Sequence, residues 1–385
     1  MKNNTSDFLP GYENMTSGAK KMRDFYAMKP DAGIYQKEFG FYSMDRWKAE
    51  GHIPQDAGYD YFDKIFGFDS PGKFGLGNLG WTEPQFSPYF EKEVLEDQGK
   101  YEIARDEAGR EIKFFKNRRN GFMPEYVGHP VKDMKSWEEK CLWRMNPKSH
   151  EREKGILESI EGAKAAAGEG QIITANIVGG YMYLRSIIGP VDVMYMFYDD
   201  PDVIHACMKA WFELADYVVS RFQQEIILDE VYFGEDICYN HGLLISDEMV
   251  REFLFPYYTQ LLTNARNRQL DKSRRLFFQL DTDGNHEPAI PLYRGIGMDY
   301  LSPFEVASGC DVVRTSVEYP DLLISGGIDK RILAESPDAI DRELERIMPV
   351  MKRRGGYIPT CDHGVPEEVS FANYMHYRKR MLEYA

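Results

Sequence analysis

Residues 276–288 read LFFQLDTDGNHEP. The opening run, Leu276 to Leu280, has the length and apolar character of a buried strand. It gives way to Asp281, Asp283, Gly284, Asn285, His286 and Glu287, polar and ionisable groups where a strand should end. Asp281 and Asp283 are one residue apart, so at the end of an extended run they point to the same side. A turn-forming glycine follows, and Pro288 suits the first turn of a helix. In parallel α/β proteins, functional groups sit at the carboxyl ends of the strands.

The same strand-then-helix pattern runs outward from this stretch. Strands are expected at 171–178, 226–233, 276–280, 300–304, 322–325 and 357–361, with an earlier one at 32–41. Between them fall helices at 191–198, 200–224, 247–267 and 337–352, others starting at Pro288 and after Ala307, and a last one from Phe371. Regular alternation implies a parallel sheet, and seven strands in 385 residues favour a (β/α)8 TIM barrel of the α/β class. No GxGxxG follows the first strand, which argues against a dinucleotide fold.

Residues 46–144 break the pattern with glycine, proline and aromatic side chains. Within them, 101–105 and 111–116 flank a DEAG turn and predict a β-hairpin. With no Ser/Gly-rich linker on either side, this region is expected to be an irregular N-terminal elaboration on a single barrel domain spanning 1–385. Arg118 and Arg119 are expected to face solvent.

Composition narrows the function classes. Hydrophobic residues make up 43%, enough for a sizeable core. The formal net charge of -15 argues against a nucleic-acid partner, which calls for a basic face. The five cysteines are scattered, odd in number and without a CxxC pair, as in reduced cytoplasmic proteins. No secretory leader or membrane span is expected.

In a barrel, the residues after each strand converge at one mouth. They are Asn176, Glu235, Asp236, Asp281, Asp283, Glu305, Asp329, Cys361, Asp362 and His363. So much negative charge predicts raised carboxyl pKa values or a bound cation. A single acid after a strand is usually a helix N-cap, the role expected of Asp329. That explanation does not cover Asp281, Asp283 and His363 together, or Glu235 beside them. Asp, Glu and His donors suit a borderline-to-hard divalent ion, zinc first, then Mn2+ or Fe2+. Cys361 ranks below His363 as a ligand, because Asp362 and the acidic rim would raise its pKa. Aromatic groups near the strand ends, Phe39, Phe41, Tyr181 and Tyr183, suit either a pocket wall or core packing.

Six motifs in order, LRSIIGPVDVMYMFYDDPD, SDEMVREFLFPYY, DTDGN, PFEVASGCDV, ISGGIDKR and GGYIPTCDHGVP, resemble the uroporphyrinogen decarboxylase superfamily. The resemblance is strong from Gln171 to the C-terminus and weaker before it. It implies a (β/α)8 barrel and one of two chemistries. In the decarboxylases an arginine-rich segment holds the acidic groups of a tetrapyrrole. The corresponding stretch here, GIYQKEFGFYSMDRW, has no arginine pair and carries Glu38. In the zinc-dependent branch, a methyl group moves to or from a corrinoid protein. There a His-x-Cys pair falls on Asp281 and Asp283, and a last cysteine falls on His363.

The resemblance therefore implies a methyltransferase that demethylates a small O-methylated, possibly aromatic, substrate onto the cobalt of a separate corrinoid protein. Asp281, Asp283, Glu235 and His363 would hold zinc or another divalent cation. Asp281, Asp283 and Glu235 would be the catalytic groups, and Phe41, Tyr183 and Glu305 would bind substrate. A homodimer fits this reading. The alternatives are a cofactor-free decarboxylase and a non-catalytic ligand-binding barrel.

Overall fold

The computed structural model describes residues 14–116 and 124–385, so Arg118 and Arg119 lie outside the described residues. The described residues lead through the helix Ser17–Tyr26, capped by Thr16, to β1 (Lys73–Leu79). A meander of β2 (Glu93–Asp97), β3 (Tyr101–Arg105), β4 (Glu111–Phe115) and β5 (Glu125–Gly128) follows. Then come β6 (Ile172–Val178), β7 (Glu230–Gly234), the two-residue pair β8 (Cys238–Tyr239) and β9 (Gly242–Leu243), and β10 (Phe277–Asp281). The last strands are β11 (Tyr300–Phe304), β12 (Leu323–Gly326) and β13 (Tyr357–Ile358).

Seven strands pair in parallel in the order β1-β6-β7-β10-β11-β12-β13, a sheet of the TIM-barrel type. Helices cross from each strand to the next, because parallel neighbours need a crossover. The longest, Pro201–Gln223, has Pro201 in its first turn and buries Val203, Cys207, Trp211, Leu214 and Val218 along one stripe. Among the described residues, no helix is long and apolar enough to cross a membrane.

The expected hairpin is present, with Arg105 opposite Glu111. Two expectations are corrected. First, β1 lies inside the region read as an elaboration, and it pairs with β6 as a full member of the sheet. Gly75 and Gly77 interrupt its apolar pattern, which hides the strand in the sequence. An added Cβ at Gly75 would stand 2.9 Å from the side-chain amide of Asn176, which would have to shift.

Second, residues 32–41 form no ladder strand. They run extended between the two edges of the sheet, with one parallel bridge from Phe41 to Val365. Their side chains still alternate with the period of a strand. Tyr35, Lys37 and Phe39 line the space inside the sheet. Gln36 accepts from Arg378 at 2.9 Å, and Glu38 accepts from Tyr374 at 3.1 Å, both on the helix Phe371–Leu382. Glu38 also accepts from the backbone N–H of Cys361 at 2.7 Å, which ties this segment to the chain after β13.

Candidate active site

Two cavities meet at the carboxyl ends of the strands. The outer one, about 350 Å3, opens at the mouth and is lined by Phe39, Trp81, Arg185, Asp281, Asp283 and His363 among others. The other, about 590 Å3, is lined by Lys73, Asn176, Tyr232, Gln279 and Tyr300 among others. Phe39, Trp81 and Asp281 line both, so Asp281 stands at their junction.

Asp281 is the last residue of β10, where the buried run LFFQL gives way to the turn. Gly284 has φ +82, and a Cβ there would come within 2.8 Å of the Tyr239 backbone; only glycine suits this turn. The backbone oxygen of Asp281 accepts from the N–H of Glu235 at 2.8 Å and of Asp236 at 3.3 Å, locking the ends of β7 and β10 together. Its carboxylate accepts from the Ser302 hydroxyl at 2.6 Å and from the Tyr232 phenol. Burial pushes its pKa up to about 7, and the charges of Asp283 and Asp236 add to the rise against the pull of the two hydroxyls. Near neutral pH this carboxyl therefore carries a proton much of the time.

Asp283 and His363 face each other across the mouth, Oδ2 to Nε2 at 3.6 Å. The contact with Asp283 raises the His363 pKa, against partial burial. Phe39 packs on the imidazole at a ring distance of 4.9 Å, and Tyr42 stacks at 6.0 Å.

The structure sends the other expected site residues elsewhere. Glu235 is fully buried and turns away from both cavities. Its carboxylate accepts from Tyr258 at 2.6 Å and Tyr293 at 3.0 Å, and burial raises its pKa to about 7. It belongs to the packing between sheet and helices. Tyr183 is wholly buried in the core near Cys207 and Cys141 and lines neither cavity. Phe41 sits in an aromatic cluster with Trp47, Phe62, Phe66 and Tyr374. Glu305 accepts from the N–H of Gly284 at 2.8 Å and pairs with Lys330, bracing the turn after β10 from behind. Asp329 caps the helix Lys330–Glu335, accepting from the N–H of Arg331. The Cys361 thiol is buried and its pKa is pushed well up, by burial first and then by Glu38 and Asp362.

These positions bear on the expected metal. Glu235 is spent on two tyrosines, and the Asp281 carboxylate is engaged by two hydroxyls. Among the described residues, no three side chains of His, Cys, Asp or Glu gather at one point as a metal ion requires. The four expected ligands do not form one donor set.

Four mouth residues escape a sequence reading. Trp81 follows the unrecognised β1, and its indole N–H donates to Tyr232. Arg110, at the hairpin turn, is buried against the mouth. It bonds Asp106 at 2.7 Å, Glu83 at 2.8 Å and Ser186 at 3.1 Å. His129 is held below its ordinary pKa, at about 4, by burial and by Lys132 and Arg110. Arg185 pairs with Asp236, whose φ of +44 is unusual for a residue with a side chain. Only Arg185, inside the LRSIIGP motif, carried a local signal.

The fold and its strand-end carboxyl define a parallel α/β protein with a candidate site at the sheet's mouth. The family model described as uroporphyrinogen decarboxylase (URO-D) matches residues 109–384, and the chain belongs to that family. No curated protein matches the sequence. Among solved structures, a methyltransferase from Methanosarcina mazei superposes with a TM-score of 0.58 and 14% identity, covering 96% of this chain and 99% of the other. A candidate vitamin-B12-independent methionine synthase from Listeria monocytogenes gives a TM-score of 0.33 and 15% identity, covering 59% of this chain and 68% of the other.

Proposed function

We propose that this protein is a methyltransferase that removes the methyl group from a small O-methylated aromatic compound, for transfer to a corrinoid carried by a separate protein. The observation that carries this reading is Asp281, a carboxyl whose pKa burial raises to about 7, at the floor of an aromatic-walled mouth. Membership of the family and a fold shared along nearly the whole chain with a protein named as a methyltransferase support it.

The chemistry asks for a proton at the ether oxygen as the methyl group leaves. Asp281 is placed to give that proton, and Ser302 and Tyr232 then stabilise the carboxylate it becomes. Trp81 and Phe39 offer faces for a flat ring. The corrinoid, when docked, supplies the nucleophile that takes the methyl group. The reading routes no step through a metal, because Glu235 and Asp281, two of the four donors the sequence suggests, are committed to tyrosine and serine hydroxyls.

The test is to incubate the protein with methoxylated aromatic compounds and a reduced corrinoid protein, and to follow release of the phenol. Asp281→Asn is expected to cut kcat/KM by about 100-fold or more, the usual weight of a general acid. A second reading, decarboxylation, is favoured by Arg110 and Arg185 in the mouth wall, although each already pairs with carboxylates. Carbon dioxide release from a carboxylated compound without corrinoid would establish it and sink the first.

A further inference from the structure

The meander β2–β5 is inserted between β1 and β6, and part of it forms a wall of the mouth. Three residues bring it there: Arg110 at the β3–β4 turn, Tyr126 on β5, and His129, the first residue beyond β5. Tyr126 stands opposite Ile112 in the β4–β5 ladder, and the Arg110 guanidinium lies over its ring at 4.8 Å. The His129 ring is 6.2 Å from that of Tyr126.

His129 is held in place from the other side of the mouth. Two residues on, the N–H of Val131 donates to the carbonyl of Ile187 at 3.0 Å, tying the loop to the LRSIIGP segment. Gly189 of that segment, at φ +114, lets the imidazole come close. An added Cβ there would stand 2.8 Å from Nδ1.

The polar groups of this wall fall into two sets. The charged ones are spent, Arg110 on Asp106, Glu83 and Ser186, and Arg185 on Asp236. The uncharged ones are open. Among the described residues, neither ring nitrogen of His129 nor the hydroxyl of Tyr126 has a hydrogen-bond partner, and both side chains line the cavity. Burial and the charges of Lys132 and Arg110 hold the imidazole pKa at about 4, so the ring is neutral near pH 7. It then offers one N–H donor and one acceptor nitrogen, and the phenol can do both. A few such groups in an otherwise apolar pocket fix a ligand's orientation. A carboxylate would find no unpaired cation on this wall, and an apolar substituent would leave both groups without partners.

We propose that Tyr126 and His129 are specificity-determining residues, which bind an uncharged hydroxyl group of the substrate in the same cavity as Asp281. This deepens the methyl-transfer reading by naming a second functional group on the substrate, and it rests on that reading for the methoxyl group at Asp281.

Calorimetric binding tests it with 3- and 4-methoxybenzyl alcohol, the matching 3- and 4-methylanisole, and 4-methoxybenzoate. At least one alcohol is expected to bind about fivefold or more tightly than its methyl counterpart, the ordinary weight of a hydrogen bond, and more tightly than the carboxylate. Tyr126→Phe keeps the ring under Arg110 and should reduce that preference. Adding His129→Phe should bring it to about twofold or less, with binding of the methylanisole unweakened. Failure of both alcohols to bind, equal affinity of alcohol and methyl counterpart, tighter binding of the carboxylate, or a preference untouched by Tyr126→Phe would overturn the proposal. Binding needs no corrinoid, so an intact alcohol preference without demethylation would overturn the methyl-transfer reading alone.

Discussion

Ser302 donates its hydroxyl proton to Oδ2 of Asp281 at 2.6 Å, and its oxygen receives the Gln279 amide at 2.7 Å. A donor to a carboxylate favours the ionised form, so this bond holds the Asp281 pKa below where burial alone would put it. If protonated Asp281 is the working acid, activity falls as pH rises through about 7. Ser302→Ala should move that limb to higher pH by up to about one unit, since one such bond is worth about 1 kcal/mol. A kcat/KM profile against pH measures it. An unmoved limb would assign the acid role elsewhere.

Glu235 carries a prediction about stability. Its pKa in the folded protein is about 7, above the ordinary value of 4.5, because burial disfavours its charge. The folded state then binds the proton more tightly than the unfolded chain. Its contribution is fully present below about 4.5 and is lost as pH rises to about 7. Glu235→Gln removes that dependence while keeping acceptor and shape. The Tm of the wild type should fall relative to the variant as pH is raised from 4.5 to 7. A Tm difference constant across that range would refute the assignment.

His363 depends on its neighbour across the mouth. Asp283 raises the imidazole pKa, so Asp283→Asn should lower it. A proton NMR titration of His363 reads this directly. An unchanged value would mean that the 3.6 Å approach carries no electrostatic weight.

The donor geometry also predicts the response to chelation. With Glu235 bonded to Tyr258 and Tyr293, and no trio of donors gathered elsewhere among the described residues, zinc should be held weakly. Elemental analysis of purified protein should find well under one zinc per chain, and a chelator should leave Tm unchanged. One tightly held zinc, lost with a drop in Tm, would show that the mouth rearranges around a metal and would restore a Lewis-acid role.

Much of the frame was legible because local rules agree with the fold. The strand at Tyr300–Phe304 and the start and hairpin partner of Tyr101–Arg105 follow from apolar runs and turn chemistry. The N-cap at Asp329 follows from an acid placed before a helix. The strand Lys73–Leu79 was hidden, since Gly75 and Gly77 interrupt its apolar pattern. Arg110 was invisible for another reason. Its partners Glu83 and Ser186 are far away in sequence, and nothing in a hairpin turn announces a buried guanidinium.

The sequence by itself determined the parallel α/β alternation and the acidic strand end at Asp281 and Asp283. Those features reside in residue type and local period, which a chain shows before it folds. Only the tertiary structure decided which acids reach the mouth. Glu235 and Asp281 both sit at strand ends, yet Glu235 is claimed by Tyr258 and Tyr293 from the helices behind the sheet, while Asp281 opens on both cavities. A strand end fixes a side chain's place along the sheet. The partners packed around it fix the direction it takes and the charge it keeps.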